Sequence, residues 1–208
     1  MSRAPLIEWG VATLALPGEA QSGDLHLVKP VGTGVLVAVV DGLGHGADAA
    51  TAAHAAVATL ERHATESTVA LVERCHRALK GTRGVVMSVA LLARPEHSMT
   101  WVGVGNVEGW LLYGDGAPRS GSPRASLVTR GGIVGSELPR LHPVVLPIAP
   151  GDMLIFATDG IREGFAEGLP PEATPQQLAD QILARHGKGT DDALVLVARY
   201  LGGAAPRG

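Results

Sequence analysis

Residues 35 to 64 read VLVAVVDGLGHGADAATAAHAAVATLERHA, and this stretch carries the main clue to the fold. Its beginning is apolar and mostly β-branched, as in a buried strand, and its alanine-rich second half is typical of a helix. Three glycines lie between these parts at positions 42 to 46, and Asp41 stands directly before the first of them. A turn of this kind either cradles a phosphate group or presents a carboxylate to a metal ion.

The bulk composition is that of an ordinary soluble globular protein, with 46% hydrophobic and 18% charged residues among 208. This length predicts one domain, residues 1–201, followed by a flexible tail over 202–208. The formal net charge of -3 and the aromatic content of 3% argue against nucleic-acid binding, which needs basic surface and stacking rings.

The cysteine usage and the N-terminus bear on location. Cys75 is the single cysteine, which suits a reducing compartment, and its place on a helical apolar face predicts a core residue. The first ten residues, MSRAPLIEWG, lack the apolar core of a signal peptide, and no apolar run is long enough to span a bilayer. We therefore expect a cytoplasmic protein without membrane contact.

Hydrophobic periodicity predicts about eight strands and three helices. Apolar residues at spacings of three and four predict helices over 50–60, over 69–79, and from Pro175 to Leu183. Short segments rich in branched residues and bounded by Gly, Pro or Asp predict strands. These strands are 7–16, 34–40, 84–93, 98–105, 108–114, 142–148, 152–158 and 193–201.

The order of these elements indicates the fold class. Two consecutive helices, followed by strands joined by short turns, differ from the strict alternation of a doubly wound parallel sheet. We therefore predict an α+β fold in which helices cover antiparallel sheets. The polar segment 114–126, rich in Gly, Pro and Ser, is predicted to be a mobile loop.

A dinucleotide site is one interpretation of the glycine-rich turn. Gly42, Gly44 and Ala47 satisfy the G-x-G-x-x-[GA] pattern after a strand and before a helix. That fold also requires a second parallel strand after the helix, whereas residues 66–81 form another predicted helix. Asp41 would moreover repel a pyrophosphate beside the turn. Both observations disfavour this alternative.

A metal site is the other interpretation, because acids stand at the ends of several strands. Asp41 follows the strand 34–40, Asp159 follows the strand 152–158, and Asp191 with Asp192 precedes the strand 193–201. In an antiparallel sheet the end of one strand lies beside the start of its neighbour, so these carboxylates can gather on one rim. Few Lys or Arg residues lie near them in sequence, and clustered carboxylates need neutralising cations. Oxygen ligands alone select Mg²⁺ or Mn²⁺ over zinc.

Five motifs, in this order, resemble the metal-dependent serine/threonine protein phosphatases. The resemblance is to the bacterial branch typified by SpoIIE and RsbX, and RsbX is the nearer of these in size. It implies two packed antiparallel sheets flanked by helices, with a dinuclear metal centre at one edge. The motifs are SGD (22–24), VVDGLGHG (39–46), GVGNV (103–107), GDMLIFATDGI (151–161) and DDALVLVAR (191–199).

The resemblance also implies roles for particular residues. Asp41 would bridge two Mn²⁺ or Mg²⁺ ions, with the Gly42 carbonyl on one of them. Asp159 and Asp191 would complete the ligands of the other ion, and Asp24 would act through water or hold a third ion. Hydrolysis would proceed by metal-activated water without a covalent enzyme intermediate.

Other residues keep two interpretations. His45 is either the acid that protonates the departing oxygen or an exposed turn histidine, since Leu43 and Gly44 separate it from the Asp-Gly pair. Asn106 either belongs to the site or only shapes a turn, and Asp192 is a candidate hydrogen-bond acceptor behind Asp191. Members of the family usually have a small hydroxyl residue after the acidic pair, and Ala193 and Leu194 stand there instead. For the phosphate-orienting arginine the candidates are Arg3, Arg83 and Arg130.

The function implied is hydrolysis of phosphoserine or phosphothreonine on a regulatory partner. By resemblance this partner is a STAS-domain protein of a sigma-factor or stressosome pathway, and the enzyme is a monomer. The alternative from another class is a catalytically silent module that binds phosphoprotein, and the dinucleotide-binding protein is the third.

Overall fold

The computed structural model describes residues 5–94, 96–114, 122–170 and 172–203. Within these residues the chain forms ten strands and three helices. The helices are α1 (Gly46–Arg62), α2 (Thr68–Ala78) and α3 (Pro175–His186). The strands are β1 (Ile7–Leu14), β2 (Asp24–Val31), β3 (Gly34–Gly42), β4 (Val85–Ala93), β5 (Ser98–Val104), β6 (Glu108–Leu112), β7 (Arg124–Leu127), β8 (Val144–Pro147), β9 (Met153–Ala157) and β10 (Ala193–Tyr200).

The strands form two antiparallel sheets of five. The first sheet has the order β1-β10-β9-β6-β7 and the second has the order β2-β3-β4-β5-β8. Their inner faces pack together, α1 and α2 cover the outer face of the second sheet, and α3 covers the outer face of the first. The predicted α+β class, with two packed antiparallel sheets flanked by helices, is therefore confirmed.

The continuous apolar run of β3 follows from its position between two layers. Side chains alternate across a strand, so Val37 and Val39 lie between the sheets while Leu36, Ala38 and Val40 face the helices. β10 repeats this arrangement in the first sheet. Because both faces of these strands are buried, neither strand shows polar alternation.

Helix starts follow local capping chemistry. The Thr174 hydroxyl accepts a hydrogen bond from Gln177 N, the Gln177 side chain accepts one from Thr174 N, and Pro175 opens α3. At α2 the Ser67 hydroxyl accepts a bond from Ala70 N. The alanines of α1 are small, which allows this helix to lie close against the second sheet. All three predicted helices are confirmed, and no helix in the described ranges is long and apolar enough to cross a bilayer.

Two strands were missed by the sequence prediction. β2 is an edge strand with Pro30 inside it and only half-buried side chains, so its apolar signal is weak. β7 lies at the end of segment 114–126, for which a loop was predicted. That prediction is wrong for 124–126, because a short edge strand pairs with β6 there. Residues 115–121, and 204–208 of the predicted tail, lie outside the described residues.

Candidate metal centre

A cavity of about 510 Å³ opens at one end of the sandwich and is lined by acids. Its walls include the carboxylates predicted from strand ends, Asp41, Asp159 and Asp191, together with Asp24 and Asp192. These five aspartates come from segments that are distant along the chain. The fold therefore brings every predicted carboxylate to one place.

Both sheets contribute to this cavity. Asp24 at the start of β2 is the register partner of Asp41 near the end of β3, which places this pair in the second sheet. Asp159 follows β9 and Asp191 precedes β10, and these strands pair antiparallel in the first sheet. The acids were expected on the rim of a single sheet. That expectation was too simple, because the cavity spans the corresponding ends of two sheets packed face to face.

Directly after Asp41, at Gly42, the backbone of the chain lies very close to the backbone of α1. A Cβ atom at Gly42 would lie 2.2 Å from the Ala49 carbonyl oxygen, so only glycine allows α1 to pack here. Gly42 N donates to the Gly23 carbonyl at 3.0 Å, which joins this corner to the start of β2. Gly42 itself is not among the residues that line the cavity.

Burial and mutual repulsion perturb two of the carboxyl groups. Burial, followed by the nearby charges of Asp24, Asp159, Asp191 and Asp192, raises the pKa of Asp41 from 3.8 to about 9. Burial raises the pKa of Asp24 to about 7, against the lowering effect of the Thr158 hydrogen bond. In the absence of cations this cavity therefore favours protonated carboxyl groups.

The surrounding hydrogen bonds orient some of these aspartates. Thr158 Oγ1 donates to Asp24 Oδ2 at 2.7 Å, and Asn106 Nδ2 donates to Asp159 Oδ2 at 2.9 Å. Asp192 is buried and accepts from Leu16 N at 2.8 Å and from Gly23 N at 2.7 Å. Asp192 thus holds the β1–β2 loop, which agrees with the acceptor role predicted for it.

His45 lies at the mouth of the cavity, and a glutamate holds it. Its Nδ1 is 2.7 Å from Glu19 Oε1, and 61% of the His45 side chain is exposed. Glu19 was missed by sequence reasoning. It stands in the β1–β2 loop with no periodic relation to residue 45, so no sequence signal could have identified the pair.

The three arginines that were candidates for orienting the phosphate differ in their positions. Arg83 is not among the residues that line the acid cavity, but its Nη1 lies close to Gly44, which is, and its Nη2 is 3.1 Å from Asp48 Oδ2. Arg130 lines a different, neighbouring cavity. Arg3 lies outside the described residues.

The candidate ligand atoms suit hard divalent cations, because every one of them is an oxygen. As they are placed, no three acidic, histidine or cysteine side chains in the described ranges stand in a geometry that would hold a metal ion. The carboxylates share a cavity without converging on one point. An ion would have to draw them inward.

The fold, two packed antiparallel sheets flanked by helices, is that of solved PP2C-type phosphatase domains. The crystal structure of RsbX in complex with magnesium has a TM-score of 0.82 at 22% identity, over 93% of this chain and 95% of that one. The catalytic domain of the serine/threonine phosphatase PstP, in complex with two manganese ions, has a TM-score of 0.71 at 17% identity, over 94% and 98%.

The chain belongs to the SpoIIE family, whose profile, "Stage II sporulation protein E (SpoIIE)", matches residues 32–201. Phosphoserine phosphatase RsbX of Bacillus subtilis (strain 168) is 32% identical over 90 residues, or 43% of this chain and 45% of RsbX. The aligned part is thus under half the length of this curated relative. A chain of the bacterial stressosome, described as a modular system adapted to control secondary messenger signaling, has a TM-score of 0.83 and 32% identity, over 93% of this chain and 99% of its own. The predicted family is confirmed.

Proposed function

We propose that this protein is a Mn²⁺- or Mg²⁺-dependent phosphatase that removes phosphate from phosphoserine or phosphothreonine on a regulatory partner protein. The observation that carries the proposal is the gathering of five aspartates around one cavity. The pKa of Asp41 is raised to about 9 there, and no hydrogen-bond donor of the described residues reaches its carboxylate. A cation beside this unpaired acid would let it carry its charge near neutral pH.

The proposed ligands are Asp41, Asp159, Asp191 and Asp24, together with the Gly42 carbonyl. Two ions bound by these oxygens would activate water near neutral pH and neutralise charge on the phosphoryl group. Thr158 fixes the orientation of Asp24, and Asn106 fixes that of Asp159. Asp192 is fully engaged with backbone N–H groups, so its role is to hold the β1–β2 loop in place.

His45 and Glu19 handle the proton of the departing group in this proposal. In the imidazolium form His45 Nδ1 donates to Glu19, and Nε2 carries the proton that would pass to the seryl or threonyl oxygen, which leaves a neutral imidazole. Arg83 is the candidate cation for the phosphate, because its guanidinium, which is paired with Asp48, lies next to Gly44 of the cavity lining. A planar guanidinium matches phosphate oxygens in a bidentate manner.

The direct test is turnover of p-nitrophenyl phosphate and of a phosphoserine peptide by the full chain with Mn²⁺. We expect turnover that EDTA abolishes and that Asp41→Asn removes. Asp180→Asn is the matched control, since this exposed aspartate lies on α3 away from the cavity. Turnover that persists in EDTA or in Asp41→Asn would refute the metal mechanism.

The proposed partner is a phosphorylated STAS-domain protein. The support is the sequence resemblance and the likeness to a stressosome chain. Incubation of the phosphorylated partner with native enzyme, followed by mass spectrometry of the phosphosite, tests this assignment. Loss of phosphate from a STAS domain at a rate no greater than from an unrelated phosphoprotein would count against it.

A silent phosphoprotein-binding module is the second candidate function. It is favoured by the finding that no three ligating side chains of the described residues stand in metal-binding geometry. Calorimetric titration with Mn²⁺ separates the two functions. The enzyme should take up Mn²⁺ in the native chain but not in Asp41→Asn, whereas the silent module should show no uptake in either.

A further inference from the structure

A second cavity, of about 250 Å³, lies beside the acid cavity at the edge of the second sheet. We call it the Trp101 cavity. Trp101 of β5 forms its floor, Val144 of β8 forms one side, and Val128, Arg130 and His142 form the rest of its rim.

The floor of the Trp101 cavity carries a hydrogen-bond donor without an acceptor. Trp101 is only 2% exposed, and its indole Nε1–H has no acceptor in the part of the chain that the structure describes. Leaving such a buried donor unsatisfied costs about 1–3 kcal/mol. Nε1 itself is enclosed, so a group in the cavity would meet the indole ring and not this donor.

The charge on the rim of the Trp101 cavity is positive. Arg130 is exposed, and its guanidinium makes no ion pair or hydrogen bond with any described residue. No acidic residue lines the cavity. The guanidinium of Arg130 therefore complements a carboxylate.

The rim is also apolar at the surface. Val128 is 77% exposed and Val144 is 40% exposed, and Val145 beside them is 63% exposed. β8 is an edge strand, so its outer side has no strand paired with it in the described ranges. An acidic side chain flanked by an apolar residue therefore complements both the charge of Arg130 and the apolar rim.

Two hydrogen-bonded segments connect this cavity to the acid cavity. Arg130 N donates to the Gly103 carbonyl at 3.1 Å, and Gly105 N donates to the Arg130 carbonyl at 2.7 Å. Gly105 and Gly131 line the acid cavity, while Gly103 and Arg130 line the Trp101 cavity. From Trp101 to Gly105 along β5 is about 13 Å, which an extended peptide covers in about four residues.

We infer that the Trp101 cavity is a docking site for the substrate protein and that it takes an acidic residue about four positions from the phosphorylated residue. The inference rests on the proposed phosphatase function and adds the substrate feature that the enzyme selects. The carboxylate pairs with the exposed guanidinium of Arg130, while the flanking apolar residue covers Val128 and Val144.

The test compares phosphoserine peptides of about ten residues, long enough to span both cavities. One peptide carries Glu about four positions from the phosphoserine and its control carries Gln there, with one such pair for each side of the phosphoserine. With the native full chain and Mn²⁺ we expect kcat/KM to be about tenfold higher for Glu than for Gln in one pair. Fluorescence anisotropy of labelled peptides should give the same ratio in Kd.

Variants identify the cavity responsible. Arg130→Gln should abolish the preference for Glu, and Val128→Asp, at an exposed position, should reverse it. Arg140→Gln, at an exposed arginine outside the cavity, is the control. Turnover of p-nitrophenyl phosphate should be unchanged in Arg130→Gln, Val128→Asp and Arg140→Gln.

The docking site is refuted if the native chain treats the Glu and Gln peptides alike, or if Arg130→Gln and Val128→Asp keep the preference. Absence of p-nitrophenyl phosphate turnover in the native chain would instead refute the phosphatase function. Anisotropy needs no turnover, so it measures docking in either case.

Discussion

The same dipeptide, Asp-Gly, ends a central strand in each sheet, and the two copies lie in different environments. Asp41 follows the apolar run of β3, is half-buried, and has no hydrogen-bond donor of the described residues on its carboxylate. Asp159 follows β9, is exposed, accepts from Asn106 Nδ2, and has its backbone carbonyl bonded by Lys188 Nζ. Described residues hydrogen-bond Asp159, whereas none of them does so for the Asp41 carboxylate, which is the proposed bridging ligand. Similar sequence thus provides two unequal ligands.

The largest expected effect separates these two aspartates. Asp41→Asn should lower kcat for p-nitrophenyl phosphate by about 10³-fold, because it removes the proposed bridging ligand. It should also raise the melting temperature of the metal-free protein, by about 2–4 °C for each kcal/mol of repulsion removed. Asp159→Asn should lose activity without this gain. Steady-state kinetics and thermal unfolding in EDTA measure both, and a gain in melting temperature for Asp159→Asn would contradict the comparison.

The glycines of the two dipeptides should be equally intolerant of a side chain. A Cβ at Gly42 would lie 2.2 Å from the Ala49 carbonyl, and a Cβ at Gly160 would lie 2.0 Å from the Asp192 carbonyl. We expect Gly42→Ala and Gly160→Ala each to lower the free energy of unfolding by about 1–3 kcal/mol. Urea denaturation measures this. Gly131→Ala is the control, because a Cβ there meets no atom within 4 Å.

The pH dependence of the metal-free protein should also distinguish Asp41. The folded pKa values of Asp24 and Asp41, about 7 and about 9, lie above the unfolded value of 3.8. The folded state therefore binds more protons than the unfolded state in this window, and the free energy of unfolding falls as pH rises from about 4 to about 9. The slope is at most about 1.4 kcal/mol per pH unit for each group.

Thermal unfolding in EDTA across this pH range measures the effect. The slope should be shallower in Asp41→Asn, and added Mn²⁺ should raise the melting temperature most at the alkaline end. An unchanged slope in Asp41→Asn would show that this carboxyl group is not the one that titrates.

The smallest expected effect concerns the support of Asp159. Asn106→Ala removes the amide that orients this carboxylate, and the affinity for Mn²⁺ should fall by about tenfold. Stability should hardly change, since the hydrogen bond is exposed. Calorimetric titration measures the affinity, and equal affinities in Asn106→Ala and the native chain would assign Asn106 to the turn alone.

The parts of the fold predicted from sequence are those whose burial is complete. β3, β9 and β10 contain long continuous apolar runs because both of their faces are buried, and the start of α3 is marked by Pro175 and a capping box. β2 and β7 were not predicted because edge strands are short or half-buried, so their apolar pattern is weak. They are stabilised by pairing with a neighbouring strand, and the sequence of one segment alone does not show which strand it pairs with.

In the candidate site, too, some residues were predictable from the sequence and others were not. Asp41, Asp159 and Asp191 were identifiable because each stands where an apolar strand ends or begins. Glu19 was not, since its partner His45 is 26 positions away and the contact exists only in the folded chain. The role of Asp192 as acceptor for Leu16 N and Gly23 N likewise depends on how the β1–β2 loop closes over it.

The amino-acid sequence by itself determined which segments are buried strands and helices, and it placed an aspartate at the ends of the most buried strands, because burial and capping leave local signatures. Only the tertiary structure decided that two sheets place these ends together, that Asp41 and Asp24 acquire raised pKa values, and that the Trp101 cavity adjoins the acid cavity. Electrostatic energies depend on distance and burial in three dimensions. Those quantities arise from contacts between residues far apart in the chain.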